Sequence, residues 1–327
     1  MSYPIEQKLV VAVASSALFD LSESDAVYCQ EGLAAYRAYQ REREDDVLGP
    51  GVAFPFVRRL LGLNELIPDD RPVEVVLLSQ NDADTGLRVM NSIENHSLPI
   101  TRAAFVRGAD PFRYVDSFNA CLFLSANEEN AREAVMRGLP AGCVLASTYF
   151  DDPEDTELRI AFDFDGVVVD DEAERVFQIE GLEAFQNSEV AHSLEPHNPG
   201  PMKRLFQEIG RIHQREIERE ASEPGYRSAV RVAIVTSRNA PAHKRLVTTL
   251  RDWGIEIDET FFLGGMDKNR VLEVFKPHLF FDDQLGHAGP ASGVVPSVHV
   301  PFGIVNAKPS SSNEPRVTLR SEVHGRG

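Results

Sequence analysis

Positive charge is what this sequence has least of. Its 33 lysines and arginines stand against 51 aspartates and glutamates, a formal net charge of −18 over 327 residues. That balance argues against nucleic acid as a partner, because a phosphate backbone is bound by a basic footprint. A small anion is still admissible where a cation or a local group of donors offsets the field. Cysteine is nearly as scarce: Cys29, Cys121 and Cys143 are too few and too scattered for a disulfide framework or a zinc site, which fits a reducing compartment. No apolar run approaches the length of a membrane span, and the opening MSYPIEQKLVVAVASSALFD lacks a basic region followed by a long apolar core. A cytoplasmic protein with no membrane partner is expected.

What the chain does have is short apolar runs. Lys8 to Ala14, Val73 to Ser79, Ala120 to Ser125, Leu158 to Phe164, Val230 to Thr236 and Leu279 to Phe281 read as buried strands. Helical periodicity lies between them, over Thr85 to Ile93, Glu128 to Arg137, Met202 to Glu218 and His243 to Trp253. Alternation of the two predicts an α/β protein with Rossmann-like parallel sheet. The acidic stretch FDDPEDTE at 150–157 reads as a linker, dividing a unit 1–150 from a unit 151–307, and the aperiodic tail 308–327 is expected to be disordered.

The two units resemble each other. Gln30-Glu-Gly-Leu-Ala-Ala-Tyr36 matches Ile179-Glu-Gly-Leu-Glu-Ala-Phe185, with Gly32 and Gly181 set 149 residues apart. Val73-Glu-Val-Val-Leu-Leu-Ser79 matches Val230-Arg-Val-Ala-Ile-Val-Thr236 at a spacing of 157, which continues through Leu122-Phe-Leu124 against Leu279-Phe-Phe281. Several blocks in one order predict an internal duplication.

Chemistry concentrates in the second unit. Asp163 and Asp165 follow the apolar run from Ile160, so on a continuing strand both point to one side, and ligands gather beyond the carboxyl ends of parallel strands. Two carboxylates forced together call for a divalent cation or a shared proton, and an all-oxygen set favours Mg²⁺. Taken alone, Asp163-Phe-Asp-Gly166 is equally a polar turn after a strand. Three later features strengthen it. Thr236-Ser237-Arg238 places hydroxyls and a guanidinium where phosphate oxygens would sit, the alternative being a helix N-cap. Lys268 could neutralise a carboxylate or a phosphoryl group, the alternative being a solvated lysine. Asp282 and Asp283 end a second buried strand.

In this order, Asp163-x-Asp165-Gly, Thr236, Lys268 and Asp282-Asp283 resemble the four motifs of the haloacid dehalogenase superfamily of phosphatases. The resemblance implies an aspartyl-phosphate mechanism: Asp163 as nucleophile, Asp165 as general acid and then base, Thr236 and Lys268 holding the phosphoryl group. It also implies Mg²⁺ on Asp163, the Asp165 carbonyl and the last acid pair, through Asp283. A narrower resemblance covers nearly the whole chain. Val13-Ala-Ser-Ser-Ala-Leu-Phe19, Gly51-Val-Ala-Phe-Pro-Phe-Val57, Leu250-Arg-x-Trp-Gly254 and Pro277-His-x-Phe-Phe-Asp-Asp-Gln284 look like cytosolic 5′-nucleotidase of class I. That family hydrolyses nucleoside 5′-monophosphates, typically AMP, with Mg²⁺. It usually reads Asp-Gly-Asp-Ala where this chain reads Asp163-Phe-Asp-Gly166, so the spacing of the acids is kept and the base and sugar preference stays open.

Projected onto the first unit, Asp163 falls on Ala14, Asp165 on Ser16, Lys268 on Pro111, and the terminal acids on Ser125 and Ala126. The first unit is therefore expected to be catalytically silent. It is expected to help shape the substrate pocket: Phe54 and Phe56 could stack a base and Asn81 or Asp82 could read base or ribose, with core packing the alternative for the two rings. Residues 172–226 are expected as a small helical cap, with His192, His197 and His213 at its surface. Asp170, Asp171 and Glu174 are expected as a solvated helix start. The alternatives kept open are a phosphatase for another small phosphomonoester such as a sugar phosphate, and a nucleotide-sensing module with little turnover; a homo-oligomer is left open.

Overall fold

The computed structural model describes residues 3–307; the tail expected from 308 onward lies outside the described residues. The first half carries β1 (Leu9–Val13), β2 (Val73–Ser79), β3 (Arg102–Phe105), β4 (Leu122–Ser125) and β5 (Ala141–Val144). The second carries β6 (Leu158–Phe162), β7 (Val230–Thr236), β8 (Glu259–Phe262), β9 (Leu279–Asp282) and β10 (Ser297–His299). Helices of the first half are α1 (Ser15–Leu18), α2 (Ser22–Glu31), α3 (Leu33–Glu42), α4 (Phe54–Leu66), α5 (Leu87–Asn95) and α6 (Glu128–Met136). Those of the second are α7 (Glu172–Glu180), α8 (Leu182–Ala191), α9 (Lys203–Ser222), α10 (His243–Trp253), α11 (Asn269–Phe275) and α12 (Leu285–Ala291).

All ten strands form one sheet, in the order β3-β2-β1-β4-β5-β10-β9-β6-β7-β8. Each half repeats the same arrangement: its first strand lies between its second and its fourth, with the third outermost and the fifth at the middle of the sheet. Pairing is parallel everywhere except between β5 and β10, which run antiparallel. Cys143 pairs with Ser125 as His299 pairs with Asp282, and Cys143 and His299 then pair with each other across the seam. The two halves thus meet about a local two-fold axis. Since strand direction reverses at the seam, the carboxyl ends of β1, β2 and β4 open at one edge of the sheet, and those of β6, β7 and β9 at the opposite edge.

The matching extends to side-chain contacts. Leu48 N–H donates to Ser92 Oγ at 3.0 Å, and His197 N–H to Thr249 Oγ1 at 3.0 Å. Arg88 reaches Gln40 at 3.3 Å, and Arg245 reaches Glu189 at 3.1 Å. Gly32 and Gly181 both join a pair of cap-side helices at φ +83° and +87°, in the left-handed region that glycine tolerates.

One face of the sheet bears a single apolar core shared by both halves, in which Leu9, Phe56 and Leu60 belong with Phe162, Phe206 and Ile209. Helix α4 reaches β6 and helix α9 reaches β1 across the middle of this face. Each half fills its other face separately, around Phe123 in the first and Phe280 in the second. Residues 150–157 are pinned in place: Asp151 pairs with Arg58 at 2.9 Å and Arg59 at 2.8 Å, and Asp155 accepts from Arg159 at 2.5 Å. The segment 172–226, expected as a cap, divides in two. Helices α7 and α8 pack on each other, whereas α9 buries Leu205, Phe206, Ile209 and Ile212 against the sheet.

Candidate active site

Strand β6 delivers Asp163 to its carboxyl end, where the Asp163 amide still bonds to the Phe281 carbonyl at 2.7 Å before the chain turns. Gly166 makes the turn at φ +71°, and a β-carbon there would collide with the Asp283 carboxylate. The glycine therefore both reverses the chain and lets the second acid strand press against it. Asp163 is buried, and its Oδ1 receives the Phe164 amide at 2.8 Å and the Lys268 ammonium at 3.0 Å. The loop before α11 places Lys268, itself buried, 2.7 Å from Asp282 Oδ2. Lys268 is accordingly an internal counter-ion and not a solvated side chain.

Three carboxylates, Asp163, Asp282 and Asp283, share this pocket with one ammonium, and their environments differ. Burial pushes Asp163 well above the usual carboxylate range against the opposing pull of Lys268. Asp282 is held below it, because Lys268 and His287 outweigh the cost of burial. Asp283 is raised further by burial and by the Asp163 and Asp282 charges, and its Oδ1 is buried with no partner. Burial lowers the Lys268 pKa, but Asp163 and Asp282 more than reverse this. Such a set is short of positive charge by about one divalent ion, which fits a metal. Among the described residues Asp163, Asp282 and His287 bring ligand atoms within 4.8 Å of one another here, and Asp283 lies against the Gly166 turn of the same pocket. Asp282 is already engaged by Lys268 and by the Gln284 amide at 2.8 Å.

At the end of β7, Thr236 is fully buried with Oγ1 accepting the Arg238 amide at 3.2 Å, so its hydroxyl hydrogen is free to donate; Ser237 is exposed. Arg238 was expected on phosphate. It instead grips Asp165 with two prongs, Nε to Oδ2 and Nη2 to Oδ1 at 2.7 Å each, while Nη1 donates to Glu189 and Nη2 stands 3.1 Å from His197 Nε2. Burial pushes Glu189 up, but His197 and Arg238 outweigh it and bring its pKa down to about 2. Glu189 also receives Arg245, which reaches Glu172 at 3.2 Å, so α7, α8 and α10 are tied to Asp165.

Several expected placements are corrected by this geometry. Phe54 and Phe56 lie buried in the shared core, Phe54 against Phe19 and His96, so both rings are taken up by core packing. Asn81 and Asp82 follow β2 and open at the sheet edge opposite Asp163, so neither can touch a substrate there; Asp82 pairs with Arg37 at 2.8 Å. His197 and His213 are buried, the latter 2.9 Å from Asp258. Asp171 is also buried and accepts the Ile304 amide at 2.7 Å, so it fastens the last described loop and is no solvated helix start. Sequence reasoning passed over Glu189 and the ring pair Phe177–Phe185, whose centroids lie 6.3 Å apart edge to face on α7 and α8. The repeat could have flagged the rings, since Tyr28 and Tyr36 hold the matching places and stand edge to face at 5.8 Å.

The chain matches the family model described as 5′-nucleotidase over residues 1–307. The chain belongs to the 5′-nucleotidase family. Among curated proteins it is similar to human cytosolic 5′-nucleotidase 1B, 34% identical over 290 residues that make up 85% of this chain and 46% of that protein. The chain thus spans about half the length of that relative. No solved structure matches it. Among the described residues no helix is long and apolar enough to cross a membrane.

Proposed function

We propose that this member of the 5′-nucleotidase family hydrolyses nucleoside 5′-monophosphates with Mg²⁺, through a phosphoryl group carried on Asp163. The observation that carries the reading is the buried set of Asp163, Asp282 and Asp283 around Lys268, with one Asp283 oxygen left unpartnered. Both protein contacts to Asp163 fall on Oδ1, which leaves Oδ2 to attack phosphorus. The Lys268 ammonium and the Thr236 hydroxyl, with Ser237 at the rim, meet the equatorial oxygens as charge develops on them. Asp165, once one of its oxygens turns from Arg238 to the substrate and takes up a proton, gives that proton to the departing ribose oxygen and then takes one from the water that releases phosphate from Asp163. When bound, Mg²⁺ supplies the charge that lets an anionic carboxylate approach an anionic phosphate, and Asp163, the Asp165 carbonyl and Asp283 would hold it.

Helices α7 and α8 act as the cap, narrower than the 172–226 segment, and Phe177 with Phe185 offers the base a platform. That ring pair favours a nucleotide over a sugar phosphate. A retained nucleophile beside its lysine favours turnover over sensing alone. The halves 1–150 and 151–307 derive from an internal duplication, supported by their common strand order, and the first half is silent, since Ala14, Ser16, Pro111, Ser125 and Ala126 stand where the catalytic groups would be. A phosphate-release screen over nucleoside monophosphates and sugar phosphates tests the reading. Asp163→Asn should lower release from AMP by at least about 10³-fold with the melting temperature kept, and excess EDTA should stop activity that Mg²⁺ restores. Near-wild-type turnover in either case would overturn it.

A further inference from the structure

The edge of the sheet opposite the catalytic groups is not closed over. At the carboxyl ends of β1, β2 and β4 lie two adjoining cavities of about 370 and 470 Å³, which share Asp25, Tyr28, Tyr36, Gln80 and Asn81. Their place is the counterpart of the catalytic pocket, and what has been kept there differs in kind from what has been lost.

The phosphate cradle is gone. The floor consists of Ala14, Ser15, Ser16, Ser79, Ser125 and Ala126, with Ser15 and Ser79 hydroxyls 3.0 Å apart. Lys268 is replaced by Pro111, and Arg238 by Asn81. Among the described residues no cation lines this floor; Arg37 is neutralised by Asp82 at 2.8 Å, and Arg107 lines the outer cavity. A phosphate seated here would lose its hydration with nothing to offset its charge.

The platform is retained. Tyr28 on α2 and Tyr36 on α3 repeat the edge-to-face geometry of Phe177 and Phe185, and Tyr28 presents about half its surface to solvent at 53% exposure. Each phenylalanine of the catalytic half is a tyrosine here, so the platform gains hydroxyls as the floor loses charge. Around it stand neutral donors and acceptors. Asn81 Oδ1 accepts from Tyr36 at 2.8 Å, its buried Nδ2 has no partner among the described residues, and Asp25 offers a carboxylate to a diol or a ring N–H.

We infer that this cavity is a binding site for an uncharged nucleoside, a planar base carried on a polyhydroxyl sugar, separate from the catalytic pocket. The choice of a nucleoside rests on reading the catalytic half as a nucleotide site, because the two ring pairs are equivalent. Tyr28 takes the base, and the Ser15, Ser79 and Asn81 side chains with Asp25 take the sugar. Since the product of hydrolysis at the other edge belongs to the same chemical class, the cavity is able to sense it.

Isothermal titration of the full chain with adenosine, AMP and inorganic phosphate tests this. Two variants remove the site without touching the core: Tyr28→Ala, and Ala126→Phe, which fills the floor from an exposed position. Adenosine binding is expected to contain a component that weakens at least tenfold in both variants and persists in Asp163→Asn, while AMP and phosphate show no component lost in either variant. The inference falls if adenosine does not bind, if its binding is unchanged by both substitutions, or if phosphate or AMP occupies this cavity as tightly as adenosine. Failure of the catalytic reading would show separately, as phosphate release surviving Asp163→Asn, and leaves the titration readable.

Discussion

Arg238 commits its guanidinium to Asp165, Glu189, His197 and the Ala242 carbonyl. On the proposed mechanism it seats the Asp165 carboxylate through a planar, two-pronged contact that an ammonium cannot reproduce. Arg238→Lys should therefore lower kcat for AMP by about 10- to 100-fold while KM moves by less than about threefold, the pattern of lost positioning and not of lost ground-state binding. A substitution that raised KM with kcat unchanged would return Arg238 to the substrate. At this scale the gathering of Asp163 and Asp282 at neighbouring strand ends was legible in the sequence, because a carboxylate directly behind a buried strand has few structural uses. The role of Arg238 was not, since Glu189 lies 49 residues before it and meets it only when α8 folds over the strand ends. Whether a guanidinium meets phosphate or carboxylate is decided by that tertiary contact.

At the scale of elements, β2 and β7 have the bounds that their apolar runs predict, while β3, β5 and β10 carry no predicted run. Strands β3 and β8 are the outermost pair and only half-buried, so each carries charge, as Arg102 and Glu259 do. Strand β10 has three residues, too few for any periodicity. The start of β9 gives a test of its own. His278 Nδ1 accepts the Arg159 amide at 3.1 Å, which requires a neutral ring, and burial with the nearby Arg59 and Arg159 charges lowers its pKa to about 3. Below pH 6.5 the unfolded chain takes up a proton that the native chain refuses, so stability is full above that pH and falls as the pH drops toward 3. Burial lowers His299 in the same direction. Asp163 and Asp283, which burial raises, work in the opposite sense over the same range, so the histidine's share is read as the difference between wild type and His278→Gln in urea midpoints from pH 7.5 to 5. In His278→Gln the slope of stability against pH should be smaller by up to one proton's worth, about 1.4 kcal/mol per pH unit. An equal slope in both would contradict the neutral, buried ring.

At the scale of the whole molecule, the sequence repeat implied two units but said nothing of how they join, because strand direction across a seam leaves no mark on composition. The structure joins them through β5 and β10 and gives them one apolar face in common. Produced apart, segments 1–150 and 151–307 should each expose half of that face and the side of a middle strand. Neither is expected to unfold cooperatively in urea followed by circular dichroism, while mixing the two should restore the transition. An independent, cooperative transition in either half would show that the shared face is dispensable.

The antiparallel seam also bears on ancestry. Cys143 against His299 is the self-complementary contact that two copies of one subunit make in a closed dimer. On the proposed duplication, a single-unit forerunner would pair back to back through this strand, with one pocket at each end. Once joined, each half would still complete the other's interior, so one end could exchange acids and bases for neutral residues while Gly32 and the Leu48–Ser92 contact were kept.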